Sequence, residues 1–261
     1  MTLAQSAGLF AVATVAGATN ALAGGGSLLT FPALVWAGLP PIVANGTNTV
    51  SIFPGSLAAT LPFRSDLDRS RSWLRALFLP SLTGGLAGAF LLLATPEKVF
   101  LRLVPALILL ATGLFAAQEI LVRGSVARFG TPPSIGADEP APRSPWRASS
   151  VQFLIALYGG YFGAGIGIMM LASLGLLGLS DLHRRMAVRT CLATLINGIA
   201  AAWFVRGGAV DWPVAALMAA GQVVGGFGGA SLVRAVPRAW VRRGIVAVGV
   251  AMALLMALWQ V

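Results

Sequence analysis

Long apolar stretches dominate the chain, separated by short polar interruptions. Apolar runs extend from about Leu3 to Gly38, Ile42 to Phe63, Trp73 to Ala94, Val99 to Val122, Ser150 to Leu179, Met186 to Val205, Trp212 to Leu232 and Trp240 to Gln260. A run of roughly 20 residues, at ~1.5 Å of helical rise each, matches the ~30 Å hydrocarbon layer of a bilayer. The alternating ten-residue pattern of a membrane β-barrel is absent. The pattern predicts an all-α polytopic membrane protein with about eight spans.

The first run does not fit one helix. It is too long for a single span and too short for two, and Gly24, Gly25 and Gly26 divide it. The pattern predicts a full or tilted helix, a break, and then a half-helix. The run from Ser150 to Leu179 repeats the arrangement around Gly163, Gly165 and Gly167. Inside a bilayer, broken backbone is tolerated only where protein buries it or a polar cavity solvates it. A helix that starts at such a break presents free amides and the positive end of its dipole, which suits an anion. Discontinuous spans of this kind build the binding sites of many transporters.

The two halves of the chain match. Gly84 and Gly225, Pro96 and Pro237, and Arg102 and Arg243 are each separated by 141 positions. Residues 1–122 and 150–261 thus read as two transmembrane repeats, joined by a Pro-rich aqueous linker at 123–149. Four spans per half would make the repeats parallel. Re-entrant breaks would give each half an odd number of crossings and invert the repeats. All seven tryptophans fall near predicted span ends, as an aromatic belt requires.

Composition supports the membrane reading. The chain is 57% hydrophobic and 10% charged, against roughly 25% charged in soluble domains. The formal charge of +10 sits between apolar runs. It reads as loops anchored at lipid headgroups rather than a nucleic-acid face. The single cysteine, Cys191, excludes a disulfide within the chain, and no Cys/His spacing fits a metal. No cofactor is implied. Of the eight carboxylates only Glu119 falls within a predicted span, near its end, so a carboxylate proton relay is not expected. One His and no buried acid pair argue against an intramembrane enzyme. A homo-oligomer is compatible with the sequence.

Candidate ligand groups lie beside the breaks. Gly24, Gly25, Gly26 and Ser27 open the first half-helix, and Gly165 and Gly167 the second. Asn45, Thr47 and Asn48 follow Pro40-Pro41 and serve equally as N-caps or as uncharged donors to a ligand. Their expected counterparts are Arg189, Thr190 and Cys191, with Asn197 further along. Arg189 is the sharpest candidate, because a guanidinium grips an oxyanion through two parallel bonds. The alternative places His183, Arg184, Arg185 and Arg189 in one interfacial loop, with Arg189 snorkelling. Gly84/Gly88 and Gly225/Gly229 are expected to serve close helix packing.

The pattern Gly24-Gly25-Gly26-Ser27, Pro32, Gly38, Ala44-Asn45-Gly46-Thr47-Asn48, weakly repeated in the second half, resembles the TauE/SafE sulfite exporter family. The resemblance implies transport of sulfite, organosulfonates or related small anions across a bacterial inner membrane, with duplicated four-span halves. The second half departs from the pattern: Ala164 and Ile166 replace outer glycines, Ala172 replaces the proline, and Cys191 stands in the place expected of Asn48. Unequal contributions from the two halves follow.

Overall fold

A computed structural model describes residues 2–22, 25–127, 141–142, 144–179, 181–232 and 238–258. The described residues are helical, with helices α1 (Leu3–Leu22), α2 (Ser27–Trp36), α3 (Pro41–Ala58), α4 (Arg64–Arg69), α5 (Arg71–Ala94), α6 (Glu97–Ala127), α7 (Pro145–Tyr161), α8 (Ile166–Leu176), α9 (Leu182–Arg206), α10 (Trp212–Leu232) and α11 (Arg238–Leu258). A 3₁₀ turn, Leu61–Phe63, precedes α4. By length and composition, Arg71–Ala94, Glu97–Ala117 and Leu182–Arg206 are long and apolar enough to cross a membrane.

The two interrupted runs are broken where the glycines fall. α2 and α8 have 10 and 11 residues, or about 15 Å of helix each, half a hydrocarbon layer. Gly163 and Gly165 both take φ of +81°, a left-handed conformation that costs a residue with Cβ. The backbone therefore cannot run straight from α7 into α8.

Helix directions follow from the contacts along each pair. Gly46 of α3 packs on Phe204 at the end of α9, Phe53 on Gly198, and Thr194 Oγ1 donates to the Ser56 carbonyl at 3.0 Å. Positions rise along α3 as they fall along α9, so these helices are antiparallel. Between α5 and α7 the pairs rise together: Ser149 with Ala76, Gln152 with Ser81, Gly84 with Ala156 and Gly88 with Gly160. α5 and α9 are likewise parallel, with Gly85 against Ile196 and Gly207 against Leu93. Thr47 meets Asp211 and Ser51 meets Gln222, so α3 and α10 are parallel. α1 joins them, with Gly221 on Phe10 and Gly225 on Thr14. One set is thus α1, α3 and α10, and the opposite set is α5, α7 and α9. Because α1 and α3 run the same way, α2 carries the chain back between them. α8 does the same between α7 and α9.

Glycine makes the cross-half contacts close. A Cβ on Gly88 would overlap the Leu157 carbonyl, and one on Gly225 the Thr14 carbonyl. The packing role expected of Gly84, Gly88 and Gly225 is thereby met; the side of Gly229 lies outside the described residues. α8 is buried along nearly its whole length. By contrast, Phe78, Leu79, Phe90, Leu109, Leu110, Leu154, Leu254 and Leu255 are exposed on α5, α6, α7 and α11, as expected of an outer face that meets lipid.

Several boundaries differ from the sequence reading. The polar segment 64–71 is largely helical as α4, residues 123–127 extend α6, and α7 starts at Pro145, inside the expected linker. Residues 128–140 and 143 lie outside the described residues. Trp73 is fully buried, at 1% exposure, and packs in the core rather than joining an aromatic belt; Trp36, Trp146 and Trp212 are exposed. α9 begins at Leu182, so His183, Arg184 and Arg185 are helical rather than a loop. Arg184 and Arg185 are buried, and the Arg185 side chain donates to the Leu179 carbonyl. That bond satisfies a carbonyl beyond the end of α8 and gives the buried cation a partner.

Candidate functional site

The two breaks lie beside α6. Gly25 abuts the ring of Phe115, where a Cβ would come within 2.5 Å, and a Cβ on Gly165 would lie 3.6 Å from Ala111. Phe115 and Ala111 are one helical turn apart, about 6 Å along the axis. Both half-helix starts therefore pack on the same face of α6.

The N-terminus of α2 is closed by the chain itself. Asn20 Oδ1 accepts the Gly26 N–H at 2.8 Å. Leu28 donates to the Gly25 carbonyl, and Leu29 and Thr30 donate to that of Gly26. Thr30 Oγ1 contacts the Gly26 carbonyl at 3.2 Å and donates to Asn48 Oδ1 at 2.6 Å. Gly26 is pressed against the Ala16 carbonyl, 2.5 Å from where a Cβ would sit, so only glycine fits. Ser27 is half-buried, and Gly24 lies outside the described residues.

The three polar residues of α3 diverge. Asn45 Nδ2 donates to the Tyr161 carbonyl at 3.2 Å, Thr47 Oγ1 accepts the Asp211 N–H at 2.9 Å, and Asn48 accepts from Thr30. Each ties α3 to a different element: the end of α7, the start of α10, and α2. Neither an N-cap nor a convergent donor set describes them. Asn45 is 1% exposed, and its Oδ1 has no partner.

The N-terminus of α8 is open. Ile166 donates to the Gly163 carbonyl, and Ile168 and Met169 donate to that of Gly165. The N–H groups of Gly165 and Gly167 find no acceptor among the described residues. No side chain caps this end. Arg189 fills the space instead: a Cβ on Gly167 would lie 3.3 Å from both Cζ and Nε of its guanidinium. Arg189 is half-buried, and its Nε is sealed from solvent with no partner. Among the described residues no carboxylate pairs with it; the Arg71–Asp68 bridge is on the exposed surface. A cation at the positive end of a helix dipole is an unfavourable pairing, and a third, negative group between them reverses its sign.

Among the described residues no hydrogen bond ties Thr190 or Asn197 to this centre. Thr190 Oγ1 donates back to the Met186 carbonyl, and Asn197 is half-buried on α9. Counted from the helix starts Pro41 and Leu182, Asn48 corresponds to Arg189 rather than to Cys191. Matching Thr47 to Thr190 puts the expected alignment two residues out. Gln152, Ser81, Gln222 and Ser51 are not among the candidates from sequence, yet they form buried side-chain pairs at 2.8 and 2.9 Å between halves. An isolated amide in an apolar run is their available signal. Among the described residues no group of three His, Cys, Asp or Glu is placed to hold a metal.

The family described as Sulfite exporter TauE/SafE matches residues 9–256. The chain belongs to the TauE/SafE family. The chain is 32% identical over 230 residues to a "Probable membrane transporter protein" of Haemophilus influenzae, covering 86% of this chain and 84% of that protein. It is 31% identical over 221 residues to "Probable membrane transporter protein ORF9" of Sinorhizobium sp, covering 83% and 78%. It is 30% identical over 252 residues to "Probable membrane transporter protein YfcA" of Escherichia coli K12, covering 94% and 86%. No solved structure matches the chain. Family membership and apolar helices together make this TauE/SafE chain a membrane protein of a transporter family.

Proposed function

We propose that the protein is a secondary transporter that moves a small oxyanion, such as sulfite or an organosulfonate, across a bacterial inner membrane. The observation that carries this is the Arg189 guanidinium lying over Gly167 at the uncapped start of α8. Amides of Gly165 and Gly167 and the guanidinium are complementary to two or three oxygens of one anion. Gly25, Gly26 and Ser27 at the start of α2, with Asn48 behind them, form the uncharged opposite wall. The named relatives support transport rather than catalysis. The bilayer is the protein's other partner, and no nucleic-acid role is needed to account for its charge.

The helix directions support two inverted halves. α1 packs parallel to α10, and its counterpart α7 packs parallel to α5, while the counterparts α3 and α9 are antiparallel. Each half then crosses an odd number of times, with α2 or α8 as a short return segment. This arrangement puts Arg64, Arg69, Arg71, Arg147, Arg184 and Arg185 on one face and Lys98, Arg102 and Arg206 on the other. The first face is cytoplasmic by the positive-inside rule.

The test is flux in proteoliposomes loaded with labelled sulfite, an organosulfonate or sulfate. Saturable movement of one of the first two is expected, strongly reduced in Arg189→Gln. Absence of flux for all three in the wild-type protein would overturn the proposal.

A further inference from the structure

The break between α7 and α8 has two poles, and the second is unused by an anion. Phe162 and Gly163 both donate to the Tyr158 carbonyl, at 2.9 and 3.3 Å. The carbonyls of Gly159 and Gly160 therefore receive no backbone N–H among the described residues, at the negative end of the α7 dipole. Against this end lies the head group of Asn45, held by its 3.2 Å bond to the Tyr161 carbonyl. Its Oδ1 is buried and unpartnered. A buried amide oxygen without a donor is costly, and the group the Asn45 head does meet is an acceptor, the Tyr161 carbonyl. Tyr158 and Tyr161 do not relieve it: their hydroxyls are turned to the Ala164 carbonyl at 2.8 Å and to Thr95 Oγ1 at 3.4 Å.

We propose that Asn45 Oδ1 and the terminal carbonyls of α7 form a site for a hard monovalent cation, sodium by its preference for such oxygen ligands, which accompanies the anion. Neutral amide and carbonyl oxygens suit a singly charged ion, and among the described residues no carboxylate is bonded to these groups to demand a divalent one, the Asp211 carboxylate being turned to the Val214 amide. The site shares no group with that of Arg189: one pole of the broken helix takes the cation and the other the anion. It is also confined to one half, since Met186 stands at the position on α9 that Asn45 holds on α3. A co-transported cation would balance the charge of a monoanion during each cycle.

The test is cation binding to the purified full-length protein in lipid nanodiscs, by radiolabelled sodium and by thermal unfolding in sodium, potassium or choline chloride. Saturable sodium binding and stabilisation are expected. Asn45→Ala should weaken sodium about tenfold or more, the effect of losing one good ligand, while stabilisation by sulfite persists. No saturable sodium effect in the wild type would overturn the proposal, whether or not the variant folds. Equal sodium binding by wild type and Asn45→Ala would do so too, leaving water as the partner of Oδ1. A sulfite effect without a sodium effect would spare the anion site and remove this one.

Discussion

Thr30 on α2 donates to Asn48 Oδ1 on α3 at 2.6 Å, and both residues are buried. This bond fixes the first half-helix against the long helix beside it. Thr30→Val keeps the shape and removes the donor, which leaves a buried acceptor unsatisfied. A loss of about 1–3 kcal/mol is expected, with Thr30→Ser close to wild type. Unfolding in detergent measures both; an unchanged Thr30→Val would show that the bond contributes nothing to stability.

Gly167 is the floor beneath the Arg189 guanidinium. A methyl group there would sit 3.3 Å from Cζ, so Gly167→Ala must push the guanidinium off the start of α8 by a few tenths of an ångström. Anion-induced stabilisation should fall several-fold while the unliganded protein unfolds near its usual temperature. Arg189→Lys should retain part of the flux that Arg189→Gln loses, since an ammonium keeps the charge without the fork. Wild-type flux in Arg189→Gln would remove Arg189 from the site.

Neighbouring glycines of α10 should differ sharply. A Cβ on Gly225 overlaps the Thr14 carbonyl, whereas Gly226 has nothing within 4 Å. Gly225→Ala is expected to part α1 from α10, at a cost of about 2 kcal/mol or more by the logic of overpacking. Gly226→Ala should be neutral or slightly stabilising, because alanine is the better helix former. Yield and melting temperature of the two variants decide the matter.

The inverted arrangement makes a prediction that the parallel one does not share. Arg147 and His183, both exposed, flank the α7–α8 pair, and with α8 as a return segment they lie on the same face. Single cysteines at these positions, in a Cys191→Ser background, should react with an impermeant thiol reagent from the same side of the membrane. Cysteines at Trp36 and Lys98 should react from the other. Labelling of Arg147→Cys and His183→Cys from opposite sides would restore the four-plus-four scheme.

Apolar lengths and glycine breaks are plain in the sequence, and α10 falls on Trp212–Leu232 as expected. Direction is not legible there. Hydropathy is the same read either way along a helix, so the return of the chain through α2 and α8 emerges only from pairs such as Phe53–Gly198 and Gly88–Gly160. Arg185 misleads for a related reason. A cation next to His183 reads as interfacial, and only the fold supplies the Leu179 carbonyl that allows its burial. Thr47 shows the converse: its hydroxyl, expected beside a ligand, is occupied by the Asp211 amide. Arg189 is legible as a charge in an apolar run, but its place over Gly167 is not.

The exchange of partners between halves bears on how the chain is made. α1 leaves the ribosome long before α10, against which its Gly17 is pressed. Until then its small-residue seam has only lipid to face. A truncated product ending before α10 would strand that seam in the bilayer, and the two halves made from separate messages would need to find each other to give either one a stable form.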